Sequence, residues 1–258
     1  VGLERIAGFV CDSTGNTLGA RRLMSKEVPT CLVFPDACHH IHSLLKDLAK
    51  LPYFEPMTII LRKTIRFFNK SHPGIFAFAT AREDCGVPRS LESIGKTRFG
   101  SIFWAALSMQ LNLLPLEYVF KRVDLEFEYT DAFGPVTFAN GLVNDVCQRY
   151  RLLLDQFIKL GMPGTKALAC LESNTTNAGD FYLYWHSLVA SILGMLEDHT
   201  PNQRGHSNPL PVDVRDQIQE IVHFRHAQIF TDTGPRNMHT PAYEAAAYLN
   251  PGMRLLAN

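Results

Sequence analysis

The chain has 258 residues, 46% of them hydrophobic and 19% charged, enough to bury one large core or two smaller ones. Its 25 Lys/Arg balance 25 Asp/Glu, which argues against a chain-wide electrostatic nucleic-acid binder. Six cysteines without a CxxC pair argue against a disulfide scaffold and for a reducing, intracellular setting. No signal peptide and no apolar run of membrane-spanning length is present, so no membrane partner is expected.

The first stretch, Ile6-Ala7-Gly8-Phe9-Val10-Cys11-Asp12, is an apolar run ending in one carboxylate, and its pattern predicts a strand over residues 4–11. A helix follows over 14–27, with Ser13 or Thr14 suited to cap it and Arg21, Arg22 and Lys26 expected on its outer face. A second buried strand is predicted over 30–34. It leads through Asp36 into a helix over 37–51, with Ile41, Leu44, Leu45 and Leu48 on one side.

Everything beyond about residue 52 reads as helical. Over 57–70, Ile60, Leu61, Thr64, Ile65 and Phe68 make one face and Arg62, Lys63, Arg66 and Lys70 the other. A loop carries Gly86, Pro88 and Gly95. A long apolar helix over 101–120 is expected to bend at Pro115, and Phe133-Gly134-Pro135 to break the chain. A helix of some 25 residues should reach Leu160 and stop at Gly161-Met162-Pro163-Gly164. Further helices are predicted over 165–172, 179–198, 211–231 and 242–249, with a polar loop over 199–211.

An acid at one strand end, with Cys38-His39-His40-Ile41-His42 after the next strand, has the layout of an α/β site, where ligands bind outside the carboxyl ends of the strands. Residues 1–100 carry 14 Lys/Arg against 9 Asp/Glu, and residues 101–258 carry 11 against 16, so the basic excess lies with that segment and suits an anionic ligand. Asp12 serves equally as a ligand for a hard cation such as Mg²⁺ or as a helix-capping side chain. Cys38, His39, His40 and His42 are spaced too tightly for a standard structural zinc site, although a zinc-dependent hydrolase built on them is one reading. The Arg62, Lys63, Arg66 and Lys70 face is either a solvated surface or a phosphate-contacting helix. No P-loop, GxGxxG, GxSxG or HExxH occurs.

Four stretches occur in order: Val10-Cys11-Asp12-Ser13-Thr14-Gly15-Asn16, then Cys38 to Asp47, then Thr97-Arg98-Phe99-Gly100-Ser101, then Ala245-Ala246-Ala247-Tyr248-Leu249-Asn250-Pro251. In this the chain resembles hAT-superfamily transposases, particularly the transposase-like reading frames abundant in fungi. The resemblance implies a predominantly α fold with a small α/β part, in which a partial RNase H-like segment (1–52) precedes an all-helical insertion domain (53–258). It implies that Asp12 is the second of three acids and holds Mg²⁺ or Mn²⁺, and that His40 is the histidine of a CxxH motif beside the active site. Phe99 falls where the family usually has a tryptophan after Thr-Arg, near the DNA ends, with Arg98 beside it.

The chain departs from that pattern. Ala37 takes the first position of the CxxH motif, Cys38 comes one residue late, and Phe99 replaces the tryptophan. The resemblance puts the first acid before Val1 and the glutamate after Asn258. The expectation is therefore a fragment or derivative of a hAT-like transposase, nuclear and DNA-contacting, that does not cleave strands as this chain alone. A non-catalytic module for protein or nucleic-acid contacts is the alternative. Exposed strand edges would favour homo-oligomers.

Overall fold

The computed structural model describes residues 5–12, 14–95, 99–120, 145–173, 175–197, 210–231 and 240–250. The fold is predominantly α with a small α/β part. Strand β1 (Gly8–Cys11), helix α1 (Gly15–Glu27) and strand β2 (Leu32–Pro35) form a β-α-β unit. The strands pair in parallel, Gly8 opposite Leu32 and Cys11 opposite Pro35. A parallel pair needs a crossover, and α1 supplies it. Helix α2 (Ala37–Ala49) follows, then a single 3₁₀ turn (Pro52–Phe54), α3 (Glu55–Lys70) and α4 (His72–Asp84). Beyond a long connection come α5 (Ser101–Leu111), α6 (Leu113–Phe120), α7 (Asp145–Leu171), α8 (Ala178–Glu197), α9 (Val212–Phe230) and α10 (Ala242–Leu249).

Two compact units divide the chain. One holds residues 1–45, 166–197 and 211–258, the other 46–165 and 198–210, so the division does not follow the expected boundary at residue 52. In the first unit, α10 lies against α8 and β2. The backbones of α8 and α10 come close because Gly179 has no side chain: a Cβ there would lie 2.9 Å from the Ala246 carbonyl oxygen and from the Ala247 Cα. Phe34, Phe181, Trp185 and Tyr243 fill the space between, and the Tyr243 hydroxyl donates to the Pro35 carbonyl. The sheet cannot grow past β2, since Pro35 has no N–H and its carbonyl is taken. Among the described residues no strand pairs with the other edge of β1, and Val10 and Leu32 on the same sheet face are 61% and 57% exposed.

In the second unit α3, α4, α5 and α6 pack together, with Phe54, Phe103 and Phe157 forming an aromatic centre. Helix α3 buries Met57, Leu61, Thr64, Ile65 and Phe68, at the spacing its sequence predicts.

Several sequence expectations need correction. Arg21 is not on an outer face. It follows Thr17 and Leu18 by one helical turn, on the side of α1 that meets the sheet, and is buried. The 101–120 helix is two helices, split at Asn112. The Pro115 ring collides with the carbonyl of Leu111, one turn back, so the break falls there. Asn112 heals it by donating from Nδ2 to the Ser108 and Arg89 carbonyls at 2.8 and 2.9 Å. Conversely, Gly161-Met162-Pro163-Gly164 stops nothing, and α7 runs through it. Gly161 is required there by packing: a Cβ would lie 2.0 Å from Phe103. Helix α4 is an element the sequence expectation lacks, although its signals are local: Ser71 accepts from the Gly74 amide as N-cap and Pro73 sits in the first turn. The Phe133–Pro135 break and residues 199–209 of the polar loop lie outside the described residues.

Candidate functional site

In the first unit the groups of interest meet at the carboxyl ends of the strands. Asp12 ends β1. Its Oδ1 accepts from the Thr14 amide at 3.2 Å, the Thr14 hydroxyl at 3.1 Å and the Thr17 hydroxyl at 2.6 Å. The Thr17 hydroxyl, the Thr14 amide and the nearby His39 imidazole hold this carboxyl below the usual range, so it is ionised at neutral pH. The sequence Asp-Ser-Thr-Gly builds this turn because a short side-chain acceptor takes the amide of Thr14, the residue that precedes α1. Asp36 does the same for α2, accepting from the His39 amide at 3.1 Å.

His40 points elsewhere. It is 2% exposed, donates from Nε2 to the Arg225 carbonyl at 2.7 Å, and lies against Trp185 with ring centroids 4.9 Å apart. Burial pushes its pKa down to about 3, so the ring is neutral and closed to solvent at physiological pH. The histidine whose charge acts on Asp12 is its neighbour, exposed His39. Trp185 in turn donates to Nδ1 of His226 at 3.0 Å, which places the His226 proton on Nε2. Burial and the neighbouring His186 and His223 lower the His226 pKa. His223, three residues from His226, is exposed.

Successive residues of a helix point about 100° apart, so Cys38, His39 and His40 diverge rather than gather around one ion. Burial raises the Cys38 thiol, with Asp36 and Glu172 adding to it, which disfavours the thiolate that zinc requires. Among the described residues no three His, Cys, Asp or Glu side chains converge as a metal site needs. Asp12 brings one carboxylate with one oxygen already accepting three bonds. A Mg²⁺ or Mn²⁺ site of the two-ion kind needs several carboxylates, so the described residues do not fit one.

In the second unit, Arg62, Lys63, Arg66 and Lys70 all lie exposed on α3, opposite its buried face. None has an acidic partner among the described residues. They cover nine residues of helix, about 12 Å from first to last, a length over which a duplex presents several phosphates. Phe99 is half-buried, with the Lys46 ammonium 5.1 Å from its ring centroid. Arg98 and Thr97 lie outside the described residues.

Sequence reading alone does not find His39 as the neighbour of Asp12, Asp36 as the cap of α2, or Arg21 as an interior group. Signals for the first two are present, in the register of α2 and in an Asp before a helix. Compared with known proteins, the chain matches no family model, no curated sequence and no solved structure. Among the described residues no helix is long and apolar enough to cross a membrane.

Proposed function

We propose that this chain is a non-cleaving, nucleic-acid-contacting derivative of a hAT-like transposase, with α3 as the contact surface. The observation that carries the reading is the row of four exposed cations on α3, none with an acidic partner among the described residues. A helix that buries one face and carries four cations against one acid, Glu55 in its first turn, on the other suits a phosphate backbone. The RNase H-like part of the reading draws support from the parallel β-α-β unit with Asp12 at the end of β1. A nuclear setting follows from the same reading. Strand cleavage is not assigned to this chain, because Asp12 stands without converging carboxylates among the described residues.

Duplex DNA binding followed by fluorescence anisotropy between 50 and 200 mM salt tests the reading, a range over which about 10³-fold or more is lost when six or more phosphates are contacted. Changing Arg62, Lys63, Arg66 and Lys70 together to Gln should flatten the salt slope by roughly 0.9 for each phosphate no longer neutralised. Binding with the same slope in the variant would refute the role of α3, and Mg²⁺-dependent nicking abolished by Asp12→Ala would refute the non-cleaving assignment.

A second reading, a protein-binding module, is favoured by Phe76 on α4 and by Leu114 and Tyr118 on α6, which are 74%, 52% and 56% exposed. Absence of any DNA affinity at low salt would favour it.

A further inference from the structure

We propose that Arg21 is the centre of an oxyanion site at the carboxyl ends of the strands, its Nε–H and Nη2–H edge taking one phosphate or carboxylate group. Arg21 is 6% exposed, and neither Nε nor Nη2 has a hydrogen-bond acceptor among the described residues. These two nitrogens form the side-on fork of the guanidinium, whose parallel N–H groups match two oxygens of one anion. An arginine cannot shed its proton, so burial without a hydrogen-bonded counter-charge is strongly unfavourable.

The nearby carboxylates of Asp12 and Asp36 do not hydrogen-bond this edge of the guanidinium. Asp12 Oδ1 accepts from Thr14 and Thr17, and Asp36 Oδ1 accepts from the His39 amide. Arg21 acts electrostatically on the Cys11 thiol and the Tyr243 phenol. Cys11 is the last residue of β1, and the Tyr243 hydroxyl donates to Pro35, the last residue of β2. The guanidinium is thereby placed where α/β folds bind ligands, near the start of α2. The neighbouring Asp12 and Asp36 disfavour a second negative charge, so the site suits a singly charged oxyanion.

The test is thermal denaturation of the full chain with inorganic phosphate or with acetate, against chloride at matched ionic strength. A saturable rise in melting temperature is expected with at least one of them. A response to phosphate alone assigns a phosphate ligand, and a response to acetate alone a carboxylate; a response to both supports the site and ranks the two by half-saturation. Arg21→Met should abolish the response while melting no lower than the parent protein in chloride. Should that variant fail to fold, Arg21→Lys keeps the charge but loses the fork, and should raise the half-saturating concentration about tenfold. A parent protein equally stable in phosphate, acetate and chloride overturns the proposal. So does a response that Arg21→Met or Arg21→Lys leaves unchanged.

Discussion

Replacing Gly161 by alanine offers a sharp test of how the second unit is packed, because helix propensity and packing predict opposite signs. An interior helical glycine replaced by alanine normally gains about 0.8–1 kcal/mol. At Gly161 the new Cβ would stand 2.0, 2.1 and 2.3 Å from Cδ1, Cε1 and Cγ of Phe103. Carbon atoms settle at about 3.5–4.0 Å, so the ring must withdraw by roughly 1.5 Å or α5 and α7 must part. Phe103 has little room to move. It is fully buried and stacked on Phe157, ring centroids 4.4 Å apart and 21° from parallel.

Overpacking of this kind costs about 1–3 kcal/mol, and setting the propensity gain against it leaves a net loss of up to about 2 kcal/mol. The melting temperature should fall by up to roughly 4–8 °C. Gly194 on α8 is the control: a methyl group there would meet nothing within 4 Å, and Gly194→Ala should stabilise by up to about 1 kcal/mol. Urea denaturation followed by circular dichroism measures both. Adding Phe103→Leu to Gly161→Ala should cost less than the sum of the single changes, since the smaller side chain leaves room for the methyl. A Gly161→Ala protein as stable as Gly194→Ala would refute the reasoning.

Two further expectations concern the first unit. His40 has a pKa of about 3 when folded, against roughly 6.5 when unfolded. Between those values the unfolded chain binds a proton that the folded chain refuses, so stability is full above about pH 6.5 and falls with pH towards 3. The loss from this residue should be on the order of 2 kcal/mol at pH 5, and His40→Gln should flatten the slope of urea midpoint against pH between 7.5 and 5. Equal slopes in the two proteins would remove His40 from the account. The edge of β1 that no strand covers among the described residues is expected to support concentration-dependent self-association through strand pairing, and Val10→Lys should weaken it in sedimentation velocity. Association that this charge leaves untouched would place the contact elsewhere.

Much of the architecture is legible from local pattern. Apolar runs ending in Asp12 and Asp36 announce two strands, and the spacing of Ile41, Leu44, Leu45 and Leu48 announces a buried helix face. The two faces of α3 can be read the same way, since a helical period needs only neighbours three and four residues apart. Pro115 gives its break away because the clash it causes is local. The turn at Asp12 is equally local, its acceptor satisfied by residues two and five positions on.

What the sequence left open are the matters settled between residues far apart in the chain. Gly161 and Pro163 look like a helix stop, yet α7 passes through them because Phe103, 58 residues earlier, fits against the bare glycine. Among three adjacent histidine and cysteine positions, only the register of α2 decides that His40 enters the core, to meet Arg225 and Trp185, while His39 stays beside Asp12. Arg21 has the composition of a surface residue and the position of a core one. Its sequence determines the charge; the packing of α1 on the sheet removes the water from that charge, and this desolvation, which no local pattern records, makes it a site.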